Sequence, residues 1–272
     1  MAASDAAELI HHEIRLPSGR RHHFVTVSSG GPRIVLLHGF TDSWRTFELL
    51  FAPLGAKFHL FALDQRGHGA SEAADDYATG DFSADAISFI ESVGGASVHL
   101  VGHSLGSIVA QRVAERRPDL LASLILISAA PSTGGHAGLL EMRGDLAAFA
   151  DHVPRDYAAA FQASTAHQPL APAQLDLFVD ESMKLSLATW RGTVEGLLSD
   201  TALSTPIKVP TLSIWGIRDG VFDASSQEAL ACKIPGLAAA HYEEIGHAPH
   251  WEAPSRVAAD IEKFILALPA RA

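Results

Sequence analysis

The residues best suited to covalent chemistry form the segment Gly102-His103-Ser104-Leu105-Gly106. The apolar run at residues 98–101 precedes it and predicts a buried strand, and apolar residues at helical spacing follow it from Ile108 onward. In so tight a strand-to-helix turn, a glycine on each side of the serine avoids clashes of Cβ atoms. We therefore expect the turn to present Ser104 at its tip, beside N–H groups at the helix start that can hold an oxyanion.

A serine hydroxyl is a weak nucleophile at neutral pH, so it needs a base within hydrogen-bond reach and an acid that orients the base. Fifteen histidines compete for the role of base, and His247 is favoured because it directly follows the last predicted strand. Asp219 follows an earlier predicted strand and is favoured as the acid. Its rival Asp223 precedes a helical pattern and suits an N-cap. The chain order Ser104, Asp219, His247 is the one expected for a serine on such a turn.

Further residues are expected around this serine. The backbone N–H groups of Phe40 and Leu105 are the predicted oxyanion donors, because one follows a strand end at His38-Gly39 and the other follows the serine directly. His38 itself is expected to hold loop backbone. The side chains predicted to contact substrate are Phe40, His103, Met142, Phe161, Met183 and Trp190.

A metal site is not expected. The sequence has no His-Glu-x-x-His pattern and no His-Asp cluster. The histidines at positions 11, 12, 22 and 23 lie in segments of alternating polarity without a carboxylate or cysteine to complete a ligand set. They are interpreted as solvated residues on exposed strand faces.

The elements that must position these groups alternate between strand and helix. Residues 11–28 predict an antiparallel hairpin. Apolar runs and helical patterns then alternate up to residue 130, which predicts an α/β fold with a mostly parallel, doubly wound sheet of about eight strands. Residues 131–205 have helical periodicity and no strand pattern. We therefore expect a helical cap at 131–205, inserted into a core formed by 1–130 and 206–272.

Composition restricts the class of protein further. The 272 residues are 47% apolar, enough for a full core, and the net charge of −11 argues against nucleic acid and anionic membranes as partners. The N-terminus has acidic residues and no apolar segment, so no signal peptide is expected, and no apolar run is long enough to span a bilayer. The single cysteine, Cys232, is expected to be buried. A cytoplasmic monomer or homodimer is the resulting expectation.

Five ordered motifs resemble those of the α/β-hydrolase fold family, especially its small capped esterases, lactonases and C–C-bond hydrolases. The resemblance covers about residues 20–130 and 205–268, and it implies Ser104 as nucleophile, His247 as base, Asp219 as acid and no cofactor. Its motifs are His38-Gly39-Phe40, residues 64–71, residues 102–106, Trp215-Gly216-Ile217-Arg218-Asp219, and Gly246-His247 with Glu252 and Pro254.

The resemblance favours cleavage of a carboxylic ester or lactone of a small apolar molecule. C–C-bond hydrolysis of a diketone-type ring-cleavage product remains an alternative with the same three residues. A non-catalytic ligand receptor and a cofactor-free oxygenase are further alternatives. Dehalogenases and epoxide hydrolases of the family use an aspartate nucleophile, so a serine at position 104 argues against both.

Overall fold

A computed structural model of the protein describes residues 8–28, 30–93 and 97–269. Its strands are β1 (Leu9–Arg15), β2 (Arg21–Val27), β3 (Arg33–Leu37), β4 (His59–Leu63), β5 (Val98–His103), β6 (Leu121–Ile127), β7 (Thr211–Gly216) and β8 (Ala238–Tyr242). They form one sheet in the order β1-β2-β4-β3-β5-β6-β7-β8. β2 pairs antiparallel with β1 and β4, and all other neighbours are parallel. The predicted hairpin and mostly parallel sheet are confirmed.

The described residues also form ten α-helices. They are α1 (Glu48–Gly55), α2 (Thr79–Ser92), α3 (Leu105–Arg116), α4 (Ala137–Ala148), α5 (Arg155–Ser164), α6 (Pro172–Ser182), α7 (Leu187–Leu198), α8 (Ala224–Lys233), α9 (Pro249–Glu252) and α10 (Pro254–Ala267). Short 3-10 helices span Trp44–Phe47 and Pro118–Leu120. None of the described helices combines the length and the apolarity needed to cross a membrane.

The sheet is apolar on both faces because successive side chains of a strand point to opposite sides. In β3, Val35 and Leu37 pack in a cluster that includes residues of α2 and α3. Ile34 and Leu36 pack in a second cluster that includes residues of α1 and α10. All four side chains are fully buried. This double coverage explains the continuous apolar runs in the sequence and holds the strand ends in fixed positions.

Four helices, α4 to α7, lie between β6 and β7, and residues 131–205, all of them described, contain no strand. A buried ion pair joins the end of this helical insertion to α3, with 2.7 Å between Arg112 Nη2 and Asp200 Oδ2. Thr79 Oγ1 also donates to Asp200 Oδ1, at 2.8 Å. The insertion is thus attached to the sheet-covering helices α2 and α3 at its C-terminal end.

The prediction that the hairpin histidines are solvated is wrong for His22 and His23, which are buried. Their strand, β2, is an inner strand because β4 pairs with its second edge. His23 Nδ1–H donates to Asp64 Oδ2 at 2.7 Å, so its polarity is satisfied inside the protein. His11, on the outer strand β1, is exposed as predicted.

Cys232 is exposed, contrary to the prediction that it is buried. Its helix, α8, buries only Leu230 fully. The buried face of α8 is therefore too narrow to include Cys232.

Candidate active site

Ser104 lies between the end of β5 and the start of α3, in a strained backbone conformation with φ of 51° and ψ of −116°. The strain arises where β5 and α3 approach each other closely. A Cβ at Gly102 would stand 2.2 Å from the carbonyl oxygen of Gly106, and a Cβ at Gly106 would stand 2.0 Å from that of Leu37. Glycine is therefore required on both sides of the serine, as the sequence predicts.

The structure brings Ser104, His247 and Asp219 together, although they lie far apart in the sequence. Ser104 Oγ is 2.9 Å from His247 Nε2, and His247 Nδ1 is 2.9 Å from both carboxylate oxygens of Asp219. Asp219 Oδ1 also accepts hydrogen bonds from the backbone N–H groups of Val221 and Phe222, at 2.8 and 3.0 Å. These contacts fix the carboxylate against the imidazole ring.

The electrostatics of Asp219 and His247 suit a base that takes a proton from Ser104. Burial raises the pKa of Asp219, but the charge and hydrogen bond of His247, with the two backbone amides, outweigh burial and hold the pKa below the ordinary value. Asp219 is thus ionised at neutral pH and accepts the Nδ1–H of His247. That tautomer leaves Nε2 unprotonated and directed at Ser104 Oγ.

The two residues predicted to donate to an oxyanion, Phe40 and Leu105, line the same cavity as Ser104. Phe40 follows the end of β3, and Leu105 is the first residue of α3, where helix N–H groups have no partner within the helix. Within residues 8–28, 30–93 and 97–269, neither backbone N–H donates a hydrogen bond. Both donors are thus available to a ligand oxygen near Ser104.

A cavity of about 240 Å³ opens over Ser104. Of the side chains predicted to contact substrate, Phe40, His103, Met142 and Phe161 line this cavity. Most of its other wall residues come from the insertion and from the loop after Asp219. The apolar side chains among all the other wall residues are Leu105, Leu139, Leu197, Val221, Phe222 and Trp251.

The other two predicted contact residues, Met183 and Trp190, do not line the cavity. Trp190 is fully buried, and its ring packs edge-on against Phe40 at 5.1 Å and Phe161 at 5.9 Å between centroids. Met183 is partly buried and packs against the hydrophobic core cluster that contains Trp190. Both predictions are corrected: Trp190 packs against two residues of the cavity wall, and Met183 lies in the core outside the cavity lining.

Two polar cavity residues, Asp42 and Gln162, were not predicted from the sequence. Gln162 Nε2 donates to Asp42 Oδ1 at 3.1 Å, and both side chains are buried. The 3-10 helix that follows is capped by the neighbouring Ser43, whose Oγ accepts the backbone N–H of Arg45 at 3.2 Å. The sequence feature that could have indicated Asp42 as a cavity residue is its position in the loop that directly follows Phe40.

Glu252 fixes the loop that holds His247. Its carboxylate accepts the backbone N–H of Gly246 at 2.8 Å, and also those of His167 and Gln168 in the insertion, at 2.9 and 2.8 Å. The backbone N–H of His247 in turn donates to the carbonyl oxygen of Thr165 at 2.8 Å. His247 is therefore positioned by the insertion as well as by the sheet.

An eight-stranded, mostly parallel sheet with a serine on a tight strand-to-helix turn defines an α/β hydrolase. A family model described as alpha/beta hydrolase fold matches residues 32–200. The chain belongs to this family, as its motifs indicated.

Individual relatives agree on the fold and differ in the bond they cleave. The pimeloyl-[acyl-carrier protein] methyl ester esterase of Chromobacterium violaceum is 27% identical over 242 residues, covering 83% of this chain and 91% of that protein. Epoxide hydrolase B of Mycobacterium tuberculosis is 33% identical over 153 residues, covering 54% of this chain and 42% of that protein. The structure of an esterase from Exiguobacterium antarcticum aligns with a TM-score of 0.87 at 20% identity, over 95% of this chain and 100% of that one. The chain is thus a hydrolase by family.

Proposed function

We propose that the protein is a serine hydrolase that cleaves a carboxylic ester or lactone of a small apolar molecule through an acyl-enzyme. The observation that supports this most directly is the hydrogen-bonded series from Ser104 Oγ through His247 to Asp219, with 2.9 Å at each step. A serine, an imidazole and an ionised carboxylate in this order are the groups that activate a hydroxyl for acyl transfer.

In the first half of the reaction, Ser104 Oγ attacks the substrate carbonyl carbon while His247 Nε2 takes the hydroxyl proton. The N–H groups of Phe40 and Leu105 bind the oxyanion, and each such donor contributes about 100-fold or more to the rate. His247 then gives the proton to the leaving alkoxide as the ester bond breaks. With a lactone, the new hydroxyl stays attached to the acyl group.

In the second half, a water molecule attacks the acyl-enzyme, and His247 accepts its proton. The tetrahedral intermediate collapses, the proton returns to Ser104 Oγ, and the carboxylic acid leaves. Asp219 stays ionised throughout and stabilises the protonated imidazole in both halves.

The cavity supports a small, largely apolar substrate. Its volume of about 240 Å³ is below the range usual for drug-sized ligands, and apolar side chains form most of its surface. The esterase of Chromobacterium violaceum, which matches most of this chain, agrees with an ester substrate.

The test uses 4-nitrophenyl butyrate with the wild type, Ser104→Ala and a matched control, Ser92→Ala, whose serine is exposed on α2. We expect hydrolysis by the wild type and the control, and loss of at least 1,000-fold in Ser104→Ala (about the scale of losing the nucleophile). A fluorophosphonate probe should label Ser104. Equal turnover by wild type and Ser104→Ala would refute the proposal. Preferential, Ser104-dependent cleavage of a vinylogous diketone would instead favour the C–C-bond alternative.

A further inference from the structure

The side chains of the cavity wall direct their hydrogen-bond donors into the protein. Thr133 Oγ1 donates to the carbonyl oxygen of Leu197 at 2.8 Å, and Trp251 Nε1–H donates to Thr46 Oγ1 at 2.7 Å. The wall residues whose side-chain N–H or O–H groups are used in this way include His103, Thr133, His136, Ser164, Thr165 and Trp251. Among the residues that the structure describes, the wall therefore offers a ligand lone pairs rather than free side-chain donors.

Gln162, on α5, is held in one orientation by its amide nitrogen. Nε2 donates to Thr41 Oγ1 and Asp42 Oδ1, each at 3.1 Å, and to Ser182 Oγ at 2.9 Å. Because a carboxylate accepts hydrogen bonds, the contact with Asp42 identifies the nitrogen of the amide. The carbonyl oxygen, Oε1, therefore lies on the other edge of the amide.

Oε1 of Gln162 is an open acceptor. No described residue donates a hydrogen bond to it. It differs from the Oε1 atoms of Gln65 and Gln111, which lack a partner and are inaccessible, because Oε1 of Gln162 retains accessible surface. Gln162 is only 1% exposed and lines the cavity, so this surface faces the cavity.

An acceptor in this position favours substrates that carry a donor. A wholly apolar ligand would displace water from Oε1 and leave a buried carbonyl group unpaired, which is costly. A ligand O–H or N–H would restore the hydrogen bond. A ligand carboxylate would instead meet lone pairs, close to the Asp42 carboxylate that also lines the cavity.

We propose that Gln162 Oε1 accepts a hydrogen bond from a neutral O–H or N–H group of the substrate and thereby determines specificity. The preferred substrates are then small esters or lactones that are apolar except for one such donor. This inference rests on the proposed function, because it takes the cavity over Ser104 as the substrate site.

The wild type alone provides the first test, with two pairs of esters in which a methyl group replaces a hydroxyl. In the acyl pair, 4-nitrophenyl 3-hydroxybutyrate is compared with 4-nitrophenyl 3-methylbutyrate. In the alcohol pair, 2-hydroxyethyl butyrate is compared with propyl butyrate. Burial raises the pKa of Asp42 to about 7, so assays at pH 8 keep this carboxyl ionised and without a proton to donate.

Each kcat/KM is normalised to the hydroxide-catalysed rate of the same ester. We expect a preference of about tenfold or more for the hydroxyl-bearing ester in at least one pair, because its methyl counterpart leaves Oε1 unpaired. The pair that shows the preference identifies the side of the ester bond that faces Gln162. Equal normalised values within both pairs would overturn the inference.

Variants then assign the preference to Gln162. Gln162→Met keeps the approximate length of the side chain but removes the acceptor, and it should bring the ratio within the preferred pair close to one, whatever its effect on kcat. Ser182→Ala is the matched control. It removes one of the three acceptors of Nε2 and leaves Oε1 in place, so it should retain the wild-type ratio.

Two results separate this inference from the proposed function. Unchanged hydrolysis by Ser104→Ala would contradict the function itself. A strict requirement for Ser104, combined with the wild-type ratio in Gln162→Met, would contradict only the role of Gln162.

Discussion

Substituting alanine for Gly106 tests the closest backbone contact around the candidate nucleophile. The added Cβ would stand 2.0 Å from the carbonyl oxygen of Leu37 and 2.7 Å from that of His38. Real Cβ contacts essentially never fall below 3.0 Å, so the nearer contact requires a separation of about 1 Å more between α3 and β3. Neither oxygen can rotate away, because both belong to the backbone of a buried strand end.

The magnitude follows from that displacement. Overpacking against a rigid backbone costs about 3 kcal/mol in the free energy of unfolding. Because α3 begins directly after Ser104, the same shift changes the 2.9 Å contact between Ser104 Oγ and His247 Nε2. A misplacement of about 1 Å lowers kcat on the order of 100-fold.

The assay combines urea unfolding, followed by circular dichroism, with hydrolysis of 4-nitrophenyl butyrate at a temperature where Gly106→Ala is folded. Gly144→Ala is the matched control, because Gly144 is exposed in α4 and its Cβ would meet no atom within 4 Å. The control should gain about 1 kcal/mol in stability and keep its kcat. Wild-type stability and kcat in Gly106→Ala would refute the close packing described for this turn.

The remaining predictions concern three carboxylates. Asp219→Asn should lower kcat about 10,000-fold in the ester assay by disturbing the His247 tautomer. The pKa of Asp219 in the folded protein is held below the ordinary value for an aspartate, which is about 4. The ionised carboxylate therefore stabilises the fold above the ordinary pKa, and this contribution is lost as pH falls through the lower native pKa. Acid unfolding curves of wild type and Asp219→Asn should converge at low pH. Glu252→Ala removes the acceptor of three backbone amides and should lower kcat about tenfold, with faster amide hydrogen exchange at the former donors. Asp200→Ala leaves the Arg112 guanidinium buried without its carboxylate and should cost about 3–5 kcal/mol in urea unfolding; a loss below 1 kcal/mol would contradict the buried ion pair.

The sequence predicted the structure well where the local residue pattern and the long-range packing require the same type of residue. Ile34, fully buried in β3, belongs to a continuous apolar run because both sheet faces are covered. The sequence could place Ser104, Asp219 and His247 near one another because each follows a strand, and the carboxyl ends of parallel strands lie at one edge of the sheet.

The features that the sequence did not predict depend on contacts between segments that lie far apart in the chain. The burial of His22 and His23 required knowing that β4 pairs with β2. Trp190 was predicted to contact substrate, but the direction of its side chain is set by the packing of its ring against Phe40 and Phe161. Asp42 could be placed in a loop, yet its neighbour Gln162 comes from α5, which no local pattern pairs with that loop.

The contacts of Thr165, His167 and Gln168 with the His247 loop limit how the protein can be redesigned. The segment that shapes the binding chamber also holds the backbone of the proposed proton acceptor. A chimera that imports a foreign segment for new selectivity must therefore reproduce the carbonyl at 165 and the amides at 167 and 168, or exchange residues 246–252 with it. In this protein, an exchange of the insertion that alters substrate selectivity is therefore also expected to alter turnover.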